Sequence, residues 1–415
     1  MNSGWAKALL KLCAVFCIMG KAWGSPIVAG FYPYQKFYIL SPEKVKLENL
    51  THLVYCYAWP RIDGTIATVD GSYHNQAFVN KVHAANKKFI LMMGGGDQEQ
   101  SGSFSAMAAS PAARAEFIRG LTVWFDQYGY DGINIDWEYP QTAADKANLT
   151  SLIKELRAAF DKYPKPKELD LVCHGSLWYA GWIDYPAILQ SVDYFYYMAY
   201  DFSGNWPFSL HAGHNAPLYD QPDTLAARYG NVNRFLANLT DSLRLPASKI
   251  VLGLPFYGRV FYNAALWATP REGGAAETYA KIVTDYIQTN GYTRIWDDQC
   301  KVPYLKKTSG AQIVSYDDSV SIRLKCEYIL SKKLAGGFIW EITQDYSKDT
   351  DKAPLLEAVG NTLIRNVASI APGSRSATVQ ANDKGEKGRY DIAGKNRSLK
   401  SRKKAATSIL LFPGR

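Results

Sequence analysis

The chain has 415 residues, 47% of them apolar and 20% charged, which is enough to bury one large core without a disulfide framework. Its net charge of +9 is unevenly placed: residues 371–415 hold eleven Lys/Arg against three Asp/Glu, whereas residues 25–370 sum to −2. The body is thus nearly neutral, so the high net charge is no argument for nucleic acid, and no nucleic-acid partner is expected.

Residues 1–24 read as a secretory signal peptide. Lys7 and Lys11 lead into the apolar run 12–19, and Ala22, Trp23 and Gly24 put small residues around a cleavage point. That run is too short for a bilayer span and no later one is long enough, so a secreted, extracellular chain with no transmembrane segment is expected.

Eight β-rich runs follow, at 27–31, 52–57, 89–93, 132–137, 169–173, 194–199, 250–255 and 337–340. Helical periodicity lies between several of them, as at 112–125, 145–160 and 224–243. Alternating strands and helices predict an α/β fold with a parallel sheet, and eight such units fit a (β/α)8 TIM barrel. A doubly wound open sheet is the weaker alternative, because no Gly-x-Gly-x-x-Gly opens a helix. The gap before the last strand is too long for one connection. Its strand-like runs 292–297 and 313–316 predict a small α+β insertion at about 262–316. The barrel domain is thus expected over 25–370. The tail, 371–415, has Tyr390 and Phe412 as its only aromatics. It reads as disordered and solvated, with contact to acidic surfaces as the alternative use of its charge.

Cys56 and Cys173 lie in strand-like runs and read as buried thiols, while pairing of Cys300 with Cys326 stays open. Neither the cysteines nor His52, His83, His174, His211 and His214 show ligand spacing, so no metal and no cofactor is expected. Asn49, Asn148, Asn238 and Asn396 each begin an Asn-x-Ser/Thr triplet.

The chemistry concentrates in residues 131–138. On a strand, Asn134, Asp136 and Glu138 share one face, and Ile133, Ile135 and Trp137 the other. Polar groups on a buried strand need partners or a task. Two carboxyls held close do not both ionise cheaply, so one keeps a proton near neutral pH, as a general acid must. Capping of a strand end or pairing with buried arginines is the structural alternative. Other polar or aromatic residues also fall where strands end: Tyr32, Tyr57, Met198 to Asp201, and Trp340 with Glu341. In a barrel these ends form one rim, the usual place of chemistry.

The octet resembles the Asp-x-x-Asp-x-Asp-x-Glu signature of glycoside hydrolase family 18, the chitinases and their relatives. Asp131, Asp136 and Glu138 match, and Asn134 replaces an Asp. The resemblance continues in order through Lys88 to Gly95, where Met92 replaces a Ser, then through Met198, Tyr200 and Asp201 with Gly204 and Trp206. Gly253 to Phe261, including Tyr257 and Arg259, follows, and Tyr316 to Lys325 with Gly336 to Trp340 completes it. It implies a secreted retaining chitinase acting on β-1,4-linked N-acetylglucosamine, with chitin or another N-acetylglucosamine glycan as partner. Glu138 would protonate the glycosidic oxygen, while the substrate's own acetamide acts as nucleophile, an exception to the two-carboxylate scheme. Asp136 and Tyr200 would hold that acetamide. Asp201 would contact the distorted sugar, Trp340 would floor it, and Asp131 would support the strand.

The catalytic candidates are therefore Glu138, Asp136, Asn134 and Tyr200. The substrate contacts expected are Tyr32, Tyr57, Tyr139, Met198, Asp201, Trp206, Arg259 and Trp340. Asn134 removes a charge beside Asp136, which is expected to weaken proton cycling. Gly96 and Asp97 stand where many chitinases place a Trp, so one sugar platform is expected to be missing. A glycan-binding lectin on the same barrel, or a hydrolase of N-glycan cores or peptidoglycan, are the alternatives. Retention of Glu138 favours the enzyme.

Overall fold

A computed structural model describes residues 24–366 apart from 71–72, 208, 221–229, 263, 270–271 and 290. The signal-peptide and tail expectations, and part of the helix expected at 224–243, fall outside the described residues.

Among the described residues the strands, in chain order, begin with β1 (Ile27–Pro33), β2 (His52–Pro60), β3 (Ile66–Thr68), β4 (Lys88–Gly95), β5 (Gly132–Trp137), β6 (Glu168–Cys173), β7 (Phe195–Tyr197) and β8 (Ile250–Pro255). They continue with β9 (Tyr257–Tyr262), β10 (Glu272–Thr278), β11 (Tyr292–Asp297), β12 (Val302–Lys307), β13 (Gln312–Ser315) and β14 (Gly336–Trp340). Eight of them pair in parallel in the order β1-β14-β8-β7-β6-β5-β4-β2, and β1 also pairs with β2, so the sheet closes into a barrel. β3 is an antiparallel flap on β2. All eight expected strands are present, and the fold is the (β/α)8 barrel.

Each barrel strand faces two environments. Outward side chains such as Leu53, Tyr55, Phe89, Leu91, Ile133 and Ile135 join the large core beneath the helices. Inward ones such as Ala29, Phe31, Val54, Ile90, Met92, Val172, Tyr196 and Phe338 fill the barrel. Burial on both faces is why these runs read as nearly continuous apolar stretches. The helices are bounded by local chemistry. The helix α1 (Pro111–Tyr128) starts on Ser110, whose hydroxyl accepts from Ala113 N, and stops at Gly129 with φ 77°. The helix α2 (Ala143–Phe160) starts on a Thr142 cap.

Two differences from the expected elements matter for the site. β7 ends at Tyr197 rather than 199, because the chain then turns across the barrel mouth, with Asp201 in the left-handed region at φ 63°. The insertion begins at Tyr257 rather than near 262, because β9 pairs with both β10 and β13 in the five-stranded antiparallel sheet β10-β9-β13-β12-β11. Its own core is Val260, Ile282, Leu305, Val314 and Tyr316. β9 leaves β8 after one residue, so this sheet dictates where Tyr257 and Arg259 stand relative to the barrel.

Among the described residues all four cysteines are free and buried, so Cys300 and Cys326 do not pair. The Asn49 triplet is closed to modification in the folded chain: its side chain is 2% exposed and accepts from Arg365 Nη1 at 2.8 Å. No helix among the described residues is long and apolar enough to cross a membrane.

The link from the insertion back to the barrel carries a buried ion pair. Lys325 Nζ, on the helix α3 (Ser319–Lys332), lies 2.5 Å from Asp317 Oδ1, which also accepts from Ser321 Oγ at 2.7 Å. Both side chains are essentially unexposed. Removing one partner leaves an uncompensated buried charge, so Lys325→Met is expected to cost about 3–5 kcal/mol, read by denaturant unfolding. A loss below 1 kcal/mol would show that Asp317 holds its proton without help.

Candidate active site

Asp136 ends the inward face of β5, and Glu138 follows one residue past the strand. Both line a cavity of about 230 Å³ at the C-terminal mouth of the barrel, together with Tyr139, His174, Met198, Tyr200, Asp201 and Trp340. Phe31, Val172 and Phe338 supply its apolar floor. The fit around the acids is close. Gly94 runs at φ 113°, and a Cβ there would lie 2.1 Å from Asp136 O, so only glycine allows β4 to approach this closely. Ser101 Oγ accepts from Glu138 N at 2.9 Å and donates to Gly95 O at 2.6 Å, tying the acid's backbone to the end of β4.

The electrostatics match the pairing expected from the octet. Burial, then the neighbouring Glu138, push the Asp136 carboxyl well above the usual carboxylate range. Burial also raises Glu138, with Asp201 and Asp97 adding to it, although a hydrogen bond from the Tyr139 hydroxyl works against the rise. Two buried acids that disfavour each other's charge titrate as a pair, so one proton is retained over a wide range.

Around the acids the walls are aromatic. The Tyr139 ring packs against Tyr179, with centres 4.2 Å apart and planes tilted by 36°, and the Trp340 ring centre lies 5.4 Å from that of Phe31. Asp201 Oδ1 is held by Tyr257 OH at 2.7 Å, Arg259 Nε at 3.2 Å and Arg259 Nη2 at 2.5 Å. The guanidinium in turn lies 4.7 Å from the Trp206 ring centre. Thus a strand of the insertion sheet orients an aspartate on the barrel rim.

The expected residues do not all meet in the cavity. Glu138, Asp136, Tyr200, Tyr139, Met198, Asp201 and Trp340 line it. Arg259 and Trp206 stand behind Asp201 and reach the cavity only through it. Tyr57 lies beside Trp340, with ring centres 6.5 Å apart, and is not part of the lining. Tyr32 is a correction: it is unexposed, its hydroxyl donates to Leu40 O at 2.7 Å, and it packs on Tyr55 and Phe78 outside the barrel. Alternation along β1 explains this, since Phe31 takes the inward position. Asn134 is fully buried below the cavity rather than lining it. Asp131 sits at the start of β5, where Oδ2 accepts from Phe89 N and meets His83 Nε2, each at 2.8 Å.

His174 was not among the expected contacts, although it follows β6 as directly as Glu138 follows β5. Applying the strand-end rule to that strand would have found it. Its Nδ1 accepts from Ser176 N at 2.9 Å, and burial lowers its pKa to about 4, so it presents a neutral ring with the proton on Nε2. Away from the cavity, His214, Asp297 and Cys300 come within 4.8 Å of one another, a grouping that sequence spacing did not reveal. Hydrogen bonds account for it: His214 Nε2 lies 3.2 Å from Asp297 Oδ2, while Oδ1 accepts from the backbone N–H groups of Gln299 and Cys300.

Comparison with known proteins gives the site its context. A family model described as Glycosyl hydrolases family 18 matches residues 27–345. The chain is 33% identical over 383 residues to Chitinase A1 of Niallia circulans, covering 82% of this chain and 54% of that protein. It is 32% identical over 338 residues to a probable endochitinase of Caenorhabditis elegans, covering 73% of this chain and 53% of that one. The chain thus spans about half the length of these curated relatives. Among solved structures, the group IV chitinase of Ostrinia furnacalis superposes with a TM-score of 0.74 at 27% identity, over 81% of this chain and 99% of that one. The same enzyme has been solved in complex with allosamidin, and this chain matches it with a TM-score of 0.73 at 27% identity, over 84% of this chain and 100% of that one.

Proposed function

The chain belongs to the family 18 glycosyl hydrolases, and on that premise we propose that it is a secreted retaining chitinase that cleaves β-1,4-linked N-acetylglucosamine by substrate-assisted catalysis. The observation that carries this reading is the coupled pair Asp136 and Glu138 in one cavity with Tyr200 and Trp340. Relatives named as chitinases, one of them solved with allosamidin, support the substrate class.

In this reading the sugar to be cleaved sits over Trp340. Glu138, kept protonated by burial, gives its proton to the glycosidic oxygen as the bond to the anomeric carbon breaks. The acetamide oxygen of the same sugar attacks that carbon from the opposite face and forms a cyclic oxazolinium. Asp136 accepts a hydrogen bond from the acetamide nitrogen and offsets the positive charge there, while the Tyr200 hydroxyl aligns the acetamide. The ionised Glu138 then takes a proton from water, which opens the ring from the face the leaving group vacated, and the configuration is retained. Asp201, held by Tyr257 and Arg259, contacts the sugar as it distorts. The neutral His174 offers a donor to a sugar oxygen on the wall shared with Tyr139.

The test is to incubate the protein with N-acetylglucosamine oligomers and follow the products by NMR. Shorter oligomers should appear with the β-anomer first. Absence of cleavage with retained oligomer binding would replace the enzyme reading with a lectin, and an α-anomer first product would overturn the substrate-assisted step.

A further inference from the structure

The sugar that leaves must bring its linking oxygen to the Glu138 carboxyl, so whatever borders that carboxyl on its open side also borders the leaving sugar. One such border is Gly96, which lines the cavity directly after β4. It is exposed, and a Cβ built on it would stand 3.4 Å from Glu138 Oε1 and 3.7 Å from Oε2. Residue 96 thus leaves the acid uncovered on this side, and neither 96 nor 97 offers an aromatic face. The first side chain beyond this gap is Asp97, which is also exposed.

Asp97 is fixed by the same turn that fixes the acid. Its carbonyl accepts from Gln100 N at 3.1 Å and from Ser101 N at 3.0 Å. Ser101 Oγ in turn accepts from Glu138 N. The charge of Asp97 reaches two groups at the cavity mouth. It adds to the rise of Glu138, after burial and Asp201. It also adds to the rise of the Tyr57 hydroxyl, after burial, Cys56 and Glu341. Tyr57 lies beside Trp340, so Asp97 stands on the rim within electrostatic reach of both the acid and the aromatic floor.

Among the described residues no side chain takes up the Asp97 carboxylate. The cations at the mouth are engaged elsewhere, Arg259 with Asp201 and Lys36 with Glu341. His174 is neutral, its pKa lowered to about 4 by burial. The wall next to the acid therefore keeps a negative charge that nothing in the fold offsets.

We propose that Asp97 makes the leaving-sugar position selective for a deacetylated residue, so that the preferred cut falls between N-acetylglucosamine and glucosamine. The cleaved sugar still needs its acetamide, which supplies the nucleophile. The leaving sugar needs none, and its carbon 2 is two ring bonds from the carbon that bears the linking oxygen. A free amine on carbon 2 is largely an ammonium below neutral pH, and it meets Asp97 as an ion pair. An acetamide there brings no charge and finds no ring at 96 or 97 to pack on. The substrate class is then partly deacetylated chitin rather than the fully acetylated polymer. This deepens the proposed function and rests on it; the bonds made and broken are those of the mechanism above.

The experiment digests a chitosan of mixed acetylation with the full chain and identifies both new ends of each cut by NMR and mass spectrometry. At the new non-reducing ends glucosamine should be enriched about three- to fivefold over its share of the polymer, the size of one exposed ion pair. Asp97→Asn keeps the shape without the charge and should bring that enrichment down to about one. Asp97→Glu should keep most of it. Raising salt from about 0.05 to 0.5 M should weaken the enrichment in the wild type, an arm that needs no variant. Enrichment that is absent in the wild type, undiminished in Asp97→Asn, or indifferent to salt would overturn the proposal.

The new reducing ends separate that result from failure of the chitinase reading, because they should be N-acetylated in every variant. Glucosamine at those ends, or no cutting of chitosan and of N-acetylglucosamine oligomers alike, would refute the mechanism itself and the role of Asp97 with it.

Discussion

Glu138→Gln is expected to lower kcat on N-acetylglucosamine oligomers by about a thousandfold, within the range that general acid catalysis contributes. Glutamine has the shape of glutamate and keeps the backbone bond from residue 138 to Ser101 Oγ, so the cavity is preserved while the transferable proton is lost. Because the missing step is protonation of the leaving oxygen, the size of the loss should depend on the leaving group. A nitrophenyl conjugate, whose oxygen departs without much help, should lose far less than an oligomer. The alkaline limb of the wild-type profile should also disappear: burial holds the Glu138 proton upward, and activity falls as pH rises past that value only while an acid stands there. Equal losses on both substrates, or a loss below tenfold, would mean that Glu138 is not the acid.

Asp136→Asn is expected to cost about a hundred- to a thousandfold in kcat, the size found when one preorganised charge-stabilising group is removed. Asparagine can still touch the acetamide, but it cannot offset the charge of the oxazolinium. It also removes the carboxyl that competes with Glu138 for the shared proton. The defect should therefore persist with the nitrophenyl conjugate, because both substrates form the same cyclic intermediate. This opposite leaving-group dependence distinguishes the two acids. Rescue of Asp136→Asn by the better leaving group, to near wild-type kcat, would move Asp136 out of the assigned role.

Much of the site was legible in the octet because a strand has a two-residue period. Asn134 and Asp136 were placed on one face and Ile133, Ile135 and Trp137 on the other without any knowledge of the partner strands. Tyr32 was misassigned by the strand-end rule, since the run 27–33 is apolar on both faces and its local pattern does not tell that Phe31 rather than Tyr32 turns into the barrel. Arg259 and Trp206 illustrate a different limit. Their motifs were recognised, but their position behind Asp201 depends on a second sheet that starts at Tyr257. His174 was missed for want of a charge or motif to flag it, although its strand end was already located.

The sequence by itself determined the order of the eight barrel strands, the (β/α)8 class, the family, and the presence of two acids one strand step apart. These depend on local periodicity and on ordered motifs along the chain. Only the tertiary structure decided which residues share the cavity, and that Asp201 is held by an arginine from the insertion. The reason is physical. Contacts between strands depend on register and barrel closure, and the protonation of a buried acid depends on every charge its neighbours bring, so neither is encoded within one local stretch.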